Sequence, residues 1–290
     1  MQRAFLRLLL LLWCLAGWAT AQGPLFMTPD PHSDTSVPPP VSVIVASSPI
    51  SATVPEDHTP VPLVTPAVLP RMAPELALQV CRGRSIVQTA HLASYSATTV
   101  IRAQLPDTAQ SGEYEVQQSY TAPKTLTFKS VRFTGDSFVK TNVITRLLQS
   151  EVDHVQKDDP SLNAISPANY KFSYKGTSQL NGRLVHVYQV KPREKRAGLF
   201  KGRIYVDAYK GSLVRAEGKP ARSPSLFVKK IDFVQDYSDV GSFTFPVHIH
   251  SEARARIVGR TIVDVYQRDY QPVSDTVSDS TVTAQRVPAL

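Results

Sequence analysis

Proline is concentrated in one part of this chain, and that distribution sets where a packed domain can form. Thirteen of the 23 prolines lie between Gln22 and Pro74. Proline lacks an amide hydrogen and fixes φ, so neither a helix nor a central strand propagates through such a segment. We therefore expect residues 22–74 to form a Pro-rich disordered tether, either a spacer that reaches across an envelope compartment or a plain disordered tail. About 200 residues remain for one domain with a sizeable core.

The segment before the tether has the three parts of a secretory signal peptide. Arg3 and Arg7 give a positively charged start, residues 8–15 form an apolar run, and residues 19–21 form an A-x-A cleavage site. We expect residues 1–21 to be removed by cleavage after Ala21, and the rest to be exported to the bacterial periplasm or cell envelope. The apolar run is shorter than the ~20 residues that span a bilayer. An uncleaved anchor is the alternative.

The number of cysteines indicates that no internal disulfide stabilises the mature fold. Cys14 lies in the leader, so Cys81 is the one cysteine left after cleavage. We expect Cys81 to be a small buried apolar residue. Pairing with a cysteine of another chain stays open.

Positive charge is concentrated in one stretch of the domain. The chain carries +8, of which +6 remains without the leader, and residues 171–230 hold 15 Lys/Arg against three Asp/Glu. Within this stretch we predict that Lys191, Arg193, Lys195 and Arg196 contact an anionic membrane surface. A solvated hairpin tip is the alternative. Export makes nucleic acid the least expected partner of a basic chain.

Most of the domain alternates apolar and polar residues with period two, which predicts strands. The predicted strands are residues 95–105, 113–120, 126–133, 137–140, 170–175, 183–190, 203–209, 212–217, 226–237, 243–253 and 257–270. Tyr114, Val116 and Tyr120 share a face with Gln118 in the second of them. Polar or glycine-containing turns separate neighbouring strands, so we expect an antiparallel meander.

Two segments have helical spacing instead. We predict helices over residues 75–91 and 143–157. The second carries its apolar side chains on one stripe: Ile144, Leu147, Leu148 and Val152. Glu151 and Asp153 are expected to face solvent.

The fold class follows from this arrangement. A long antiparallel meander with two helices predicts a mostly β (α+β) domain over residues 75–273. Its sheet is expected to be strongly curved, an open half-barrel wrapped around one or two helices. Residues 274–290 are expected to form a flexible tail.

Residue patterns that carry chemistry are few. His248 and His250 share one face of a predicted strand, but a third ligand at suitable spacing is missing, so we predict no metal site. Ser137 and Lys140 have the nucleophile–base spacing of some acyl-enzymes, yet a strand would place them on opposite faces. Three strand aspartates show no convergence: Asp207, Asp232 and Asp264. We therefore predict no catalytic residue, no cofactor and no enzyme activity.

Several segments carry a family resemblance. They are Tyr120-x-x-Pro123 with Leu126 and Phe128, and residues 143–151, 169–176, 180–196, 199–225, 229–253 and 259–272. These segments resemble the outer-membrane lipoprotein-sorting proteins, the LolA/LolB-like half-barrel superfamily. The similarity runs over residues 93–273 and is greatest to an exported bacterial branch whose function is mostly unassigned.

The resemblance implies a curved sheet around a helix, with an apolar cavity for acyl chains. Such a carrier binds by burying CH₂ groups at about 0.8 kcal/mol each, so it needs no catalytic group. The candidate cavity residues are those on the apolar phase of the strands: Tyr170, Phe172, Tyr174, Ile204, Val206, Ile231, Phe233, Phe243 and Phe245. An ordinary closed core is the alternative for the same residues.

We therefore expect an exported envelope binding protein that holds lipid or lipoprotein acyl chains, with a lipoprotein-sorting or carrier role. Its expected partners are those acyl chains, with an anionic membrane surface or an envelope protein as further candidates. The alternative is an envelope protein–protein interaction or stress-sensing regulatory module of the same fold. A hydrolase of envelope polymers is disfavoured because no triad or carboxylate pair stands out.

Overall fold

A computed structural model describes residues 70–157, 159–222, 228–255 and 259–275. The predicted leader, residues 22–69 of the predicted tether and residues 276–290 of the predicted tail lie outside these ranges. Within them, no helix combines the length and the apolar character needed to cross a bilayer.

Ten strands make up most of the domain. They are β1 (Leu92–Leu105), β2 (Gln110–Thr121), β3 (Thr125–Gly135), β4 (Tyr170–Leu180), β5 (Arg183–Pro192), β6 (Phe200–Asp207), β7 (Leu213–Pro220), β8 (Val228–Val240), β9 (Phe243–Ala255) and β10 (Gly259–Ser274). They pair in one antiparallel sheet of order β3-β2-β1-β10-β9-β8-β7-β6-β5-β4. The sheet is curved and open, with β3 and β4 as its edges, so the predicted fold class is confirmed.

The helices lie in two places. Helix α1 (Pro74–His91) precedes the sheet, and its first residue suits proline because an amide donor there would have no partner within the helix. Between β3 and β4, helix α2 (Ser137–Val139) continues through a π-helical turn (Lys140–Ile144) into α3 (Thr145–Lys157). Both predicted helices are confirmed, although the second helical segment begins six residues earlier than expected.

The period-two alternation of the strands separates a buried inner face from an outer face. Three apolar clusters fill the inner side. The α1 cluster contains Ala77, Cys81, Ile165, Tyr170, Tyr188, Val190, Leu199, Phe200, Ile204, Val206, Leu213, Ala216, Phe233 and Tyr237. The α3 cluster contains Ile101, Ala103, Leu105, Val139, Val143, Ile144, Leu147, Ile249, Val263 and Val265. The end cluster contains Leu92, Tyr95, Ala97, Tyr120, Leu126, Val155, Phe243 and Phe245.

The prediction of a strand over residues 137–140 is wrong, because this segment begins the second helical region. The chain leaves β3 at Gly135, whose φ of 108° is open to glycine and strained for other residues. The Lys140 ammonium lies 5.2 Å from the ring centroid of Tyr114 and 4.9 Å from that of Phe133. The lysine therefore makes cation–π contacts in this arrangement.

Glu151 is also placed differently from the prediction. It is buried at 4% exposure, on the α3 face that carries Leu147 and Val155 four residues to either side. The sheet beneath this face is partly polar, which accommodates the carboxyl group. Asp153 does face solvent, as expected, and accepts hydrogen bonds from Gln149 and Lys157.

Candidate functional site

The residues predicted to line a cavity fall into three groups. Four belong to the α1 cluster, namely Tyr170, Ile204, Val206 and Phe233, and Phe172 packs against that cluster. Two belong to the end cluster, Phe243 and Phe245, and Ile231 is buried outside the clusters. Tyr174 is 41% exposed. The structure thus brings most of the predicted residues together on the inner face and leaves Tyr174 at its margin.

Aromatic rings form the floor of the α1 cluster. The Phe200 ring centroid lies 5.6 Å from that of Tyr170 and 5.4 Å from that of Phe233. The Phe200 amide donates a hydrogen bond to the Tyr170 hydroxyl. Burial raises the pKa of Tyr170 and of Tyr237, so both hydroxyls stay neutral at ordinary pH. This floor is a wide, uncharged surface that belongs to the sheet.

Helix α1 covers this floor with small and polar side chains. Its buried residues are Ala77, Cys81, Ser85 and Gln88. Three of its larger apolar side chains point elsewhere, since Leu76, Ile86 and Val87 are 48%, 58% and 54% exposed, whereas Leu78 is half-buried and packs against the α1 cluster. Desolvation raises the pKa of the Cys81 thiol to about 12, and the predicted burial of this residue is confirmed. The fully buried apolar side chains of the helix, Ala77 and Cys81, are therefore small, and Leu78 adds a partly buried contact.

Hydrogen bonds fasten the start of α1 to β5 and to the residue after β6. The Met72 amide donates to the Ala208 carbonyl at 2.8 Å, and His186 Nε2 lies 3.0 Å from the Met72 carbonyl. Because a carbonyl only accepts, Nε2 carries the imidazole hydrogen. The Tyr174 hydroxyl, 3.2 Å from His186 Nδ1, is then the donor to that nitrogen. The Tyr188 hydroxyl also donates to the carbonyl of the first residue of α1.

A second set of contacts fastens the later part of α1. Gln88 Nε2 donates to the Thr244 carbonyl at 3.0 Å, and the Thr244 amide donates to Gln88 Oε1 at 2.8 Å. Arg84 Nη2 lies 2.9 Å from Asp239 Oδ1. These contacts join residues about 155 positions apart in the sequence, so no local pattern could have revealed them.

The sheet beneath α3 contains a buried polar network. Gln118 Oε1 accepts hydrogen bonds from Thr99 Oγ1 and Gln267 Nε2, and Gln118 Nε2 donates to the Tyr95 hydroxyl, each at 2.8 Å. A cavity of about 20 Å³ lies between this network and α3, with Glu151 in its wall. That volume is about the size of one water molecule. The period-two pattern of β2 places Gln118 on the apolar face, and this placement is the sequence feature that could have predicted the network.

The predicted basic contact residues separate into two pairs. Lys191 and Lys195 line a groove on the outer face of the sheet. Arg193 and Arg196 instead donate hydrogen bonds to carbonyl and side-chain oxygens within residues 162–169. The arginines therefore hold the segment before β4 in place, and the lysines remain available to a ligand.

His248 and His250 lie on the same outer face of β9, as expected. Asp264 Oδ1 lies 3.2 Å from His248 Nε2 and 2.8 Å from His250 Nδ1. The carboxylate therefore fixes both imidazoles from the neighbouring strand. In the described residues, no group of three metal-ligating side chains converges.

Comparisons with known proteins give similarity at low identity. A family model described as "Family of unknown function (DUF5686)" matches residues 160–271, less than half of the chain. No curated protein matches.

The solved structures similar to this chain include the following three. A domain from Vibrio parahaemolyticus assigned to the outer membrane lipoprotein-sorting proteins shares 12% identity over 71% of this chain and 95% of its own, with a TM-score of 0.36. A LolA superfamily protein from Nitrosomonas europaea shares 10% identity over 69% of this chain and 93% of its own, and its TM-score is also 0.36. The lipoprotein LppX from Mycobacterium tuberculosis shares 11% identity over 69% of this chain and 98% of its own, with a TM-score of 0.26. The solved structures similar to this chain thus include an outer-membrane lipoprotein-sorting domain and a LolA superfamily protein.

Proposed function

We propose that this chain is an exported, non-enzymatic binding protein of the bacterial cell envelope. It holds an acyl chain of a lipid or lipoprotein between the inner face of its sheet and helix α1. The observation that carries this proposal is the mismatch between the aromatic floor and its cover. The sheet provides a broad apolar surface, and α1 meets it with the buried Ala77, Cys81, Ser85 and Gln88 and the half-buried Leu78.

An acyl chain would bury more apolar surface on this floor than α1 does. Each buried CH₂ contributes about 0.8 kcal/mol, so a long acyl chain offers on the order of 10 kcal/mol before the costs of binding. Ala77 and Cys81 are the fully buried apolar residues that the helix contributes, both side chains are small, and Leu78 adds a partly buried contact. Replacing their contacts by those of an acyl chain therefore favours the bound state.

The polar contacts of α1 suggest how the cover opens. Breaking the later set means losing the Arg84–Asp239 pair and the two Gln88–Thr244 hydrogen bonds. Each such contact contributes about 0.5–1.5 kcal/mol net, so this loss is smaller than the gain from an acyl chain. Because His91 of α1 is followed directly by Leu92 of β1, this end of the helix stays attached to the sheet and acts as the hinge. Opening therefore also releases the earlier set, from Met72 and Pro74 to the sheet.

Acyl binding to the purified chain without its leader tests the proposal. The protein is delipidated and titrated with a fluorescent long-chain fatty acid, and lipid extracts of protein isolated from a bacterial envelope are analysed by mass spectrometry. We expect saturable binding and a co-purifying acyl compound. Gln88→Ala should accelerate uptake because it removes two bonds that hold the cover closed.

Gln149→Ala is the matched control, because Gln149 makes one hydrogen bond on the exposed side of α3 and none to the α1 cluster. Its uptake rate should equal that of the unaltered chain. Absence of any acyl ligand from folded protein, in both the titration and the extracts, would refute the proposal.

A further inference from the structure

A groove of about 1220 Å³ lies on the outer face of the sheet, on the side opposite to the proposed acyl site. Four neighbouring strands, β4 to β7, and the segment between β5 and β6 line it. Six cationic side chains stand around it: Lys175, Lys191, Lys195, Lys201, Arg203 and Lys219. Among the described residues, none that lines the groove is an aspartate or glutamate.

Two glycines on neighbouring strands contribute to the hollow. Gly202 of β6 and Gly218 of β7 pair across the sheet and both line the groove. A Cβ atom on Gly202 would lie 1.8 Å from the Glu217 carbonyl oxygen, and one on Gly218 would lie 2.3 Å from that of Lys201. Only glycine permits this close approach of the two backbones. Both glycines line the groove with backbone atoms alone.

The positive charge of the groove is mostly uncompensated. Arg203 is paired with Glu217 at 2.8 Å, and Lys219 with Asp232 at 3.3 Å. The other four lysines make no ion pair within the part of the chain that the structure describes. Cations gathered in a concave surface raise the local concentration of anions. The groove is therefore suited to a ligand with several negative charges.

Neutral groups in the groove narrow the chemistry of that ligand. Thr177, Ser178 and Gln189 offer hydroxyl and amide groups between the cations, and the ring of Tyr205 lies among them. Carboxylate or phosphate groups pair with lysines, sugar hydroxyls hydrogen-bond to hydroxyl and amide side chains, and a sugar ring packs on an aromatic face. The volume exceeds the roughly 300–1,000 Å³ of a pocket for one small molecule. We propose that this groove binds an anionic glycan of several sugar units.

Two other polyanions fit the groove less well. Strand addition of an acidic peptide needs free backbone groups, yet β5, β6 and β7 are each paired on both sides. Strand β4 is an edge, but a bulge between Tyr174 and Gly176 interrupts its ladder. A flat lipid surface would reach the lysines at the rim and not the polar side chains of the floor.

Calorimetric titration of the full chain with oligogalacturonate, a carboxylated linear glycan, tests this inference. Neutral dextran, poly-L-glutamate and phosphatidylglycerol vesicles serve as comparison ligands. We expect binding of oligogalacturonate that weakens with salt, and no binding of dextran. Lys175→Ala with Lys201→Ala should weaken binding about three- to tenfold, since exposed ion pairs contribute modestly. The two single variants provide the same test if the double variant does not fold.

Matched variants separate sugar recognition from simple charge. Lys129→Ala removes an exposed lysine from the other end of the sheet and should leave the affinity unchanged. Thr177→Ala with Gln189→Ala should weaken oligogalacturonate binding and not that of polyglutamate. Equal affinity for polyglutamate or vesicles, with the same response to these variants, would overturn the glycan assignment, as would absence of binding to every anion. Acyl binding by the same variants reports independently on the proposed function.

Discussion

The two helical covers of the inner face differ in what they contribute to it. The segment that ends in α3 buries branched apolar side chains, chiefly Val139, Val143, Ile144 and Leu147. Helix α1 buries Ala77, Cys81, Ser85 and Gln88. The polar groups are placed differently as well. Under α3 the Gln118 network lies within the sheet, whereas under α1 the polar contacts run between helix and sheet.

This difference separates a permanent cover from an exchangeable one. Apolar volume lost from a packed core leaves a cavity and costs stability. A helix held by hydrogen bonds and by the contacts of Ala77, Cys81 and Leu78, above a floor that belongs to the sheet, can separate without opening the sheet. We therefore expect the α3 cluster to govern global stability and α1 to open locally.

Truncation under α3 should produce the largest effect. Leu147 is 5% exposed in the α3 cluster, so Leu147→Ala should lower the free energy of unfolding by about 3 kcal/mol. Urea denaturation measures this change. Cys81→Ala is the comparison within the α1 cluster, and it should cost less because it removes one atom. Equal losses for the two variants would remove the distinction between the covers.

Removal of the Gln88 side chain should affect α1 and spare the sheet. Gln88→Ala leaves the Thr244 amide and carbonyl without these partners, at a cost of about 1–3 kcal/mol to the closed position of the helix. Hydrogen exchange should therefore accelerate about tenfold or more at the α1 amides, with the β1 and β10 amides unchanged. Uniform acceleration across α1 and the sheet would show that α1 does not open independently.

The sequence carried enough information for the architecture because strand and helix periods are local. Period two placed Gln118 on the apolar face of β2 although it is polar, and the structure buries it at 3% exposure. The same reasoning failed at residues 137–140, where four residues are too few to distinguish alternation from the first turn of a helix. It failed at Glu151 because that side chain lines a small cavity with Thr99, Gln118 and Gln267, which lie on strands distant in the sequence.

The candidate site was predictable only in part, for a related reason. The apolar phase of the strands identified the floor of the α1 cluster, including Phe233 and Ile204. The role of the small α1 side chains depends on the surface that they cover, which the sequence of the helix does not contain. Gln88 likewise bonds to Thr244, which lies 156 positions away in the sequence. The excess of lysine and arginine in residues 171–230 was visible. Its concentration in a groove depends on the pairing of Gly202 with Gly218, which a charge count does not reveal.

The smallest expected effect on the difference between the two covers is a change of stability at alkaline pH, because burial raises several pKa values in the α1 cluster. The pKa of the Cys81 thiol rises from 9.0 to about 12, and those of Tyr170, Tyr188 and Tyr237 rise from 10.0. Between pH 9 and 12 the unfolded chain loses the Cys81 proton while the folded chain keeps it. The free energy of unfolding therefore falls as pH rises, by about 1.4 kcal/mol per pH unit for each such group.

Cys81→Ala should remove the contribution of the thiol to the fall of the free energy of unfolding with rising pH. Urea denaturation at pH 7.5, 9.5 and 10.5 measures it for both proteins, and the pH 7.5 value corrects for the lost side-chain contact. The variant should gain stability relative to the unaltered chain as pH rises, by up to about 1.4 kcal/mol per unit above pH 9. An unchanged slope would mean that the folded chain exposes this thiol to solvent, so that the α1 cover is already open before any ligand arrives.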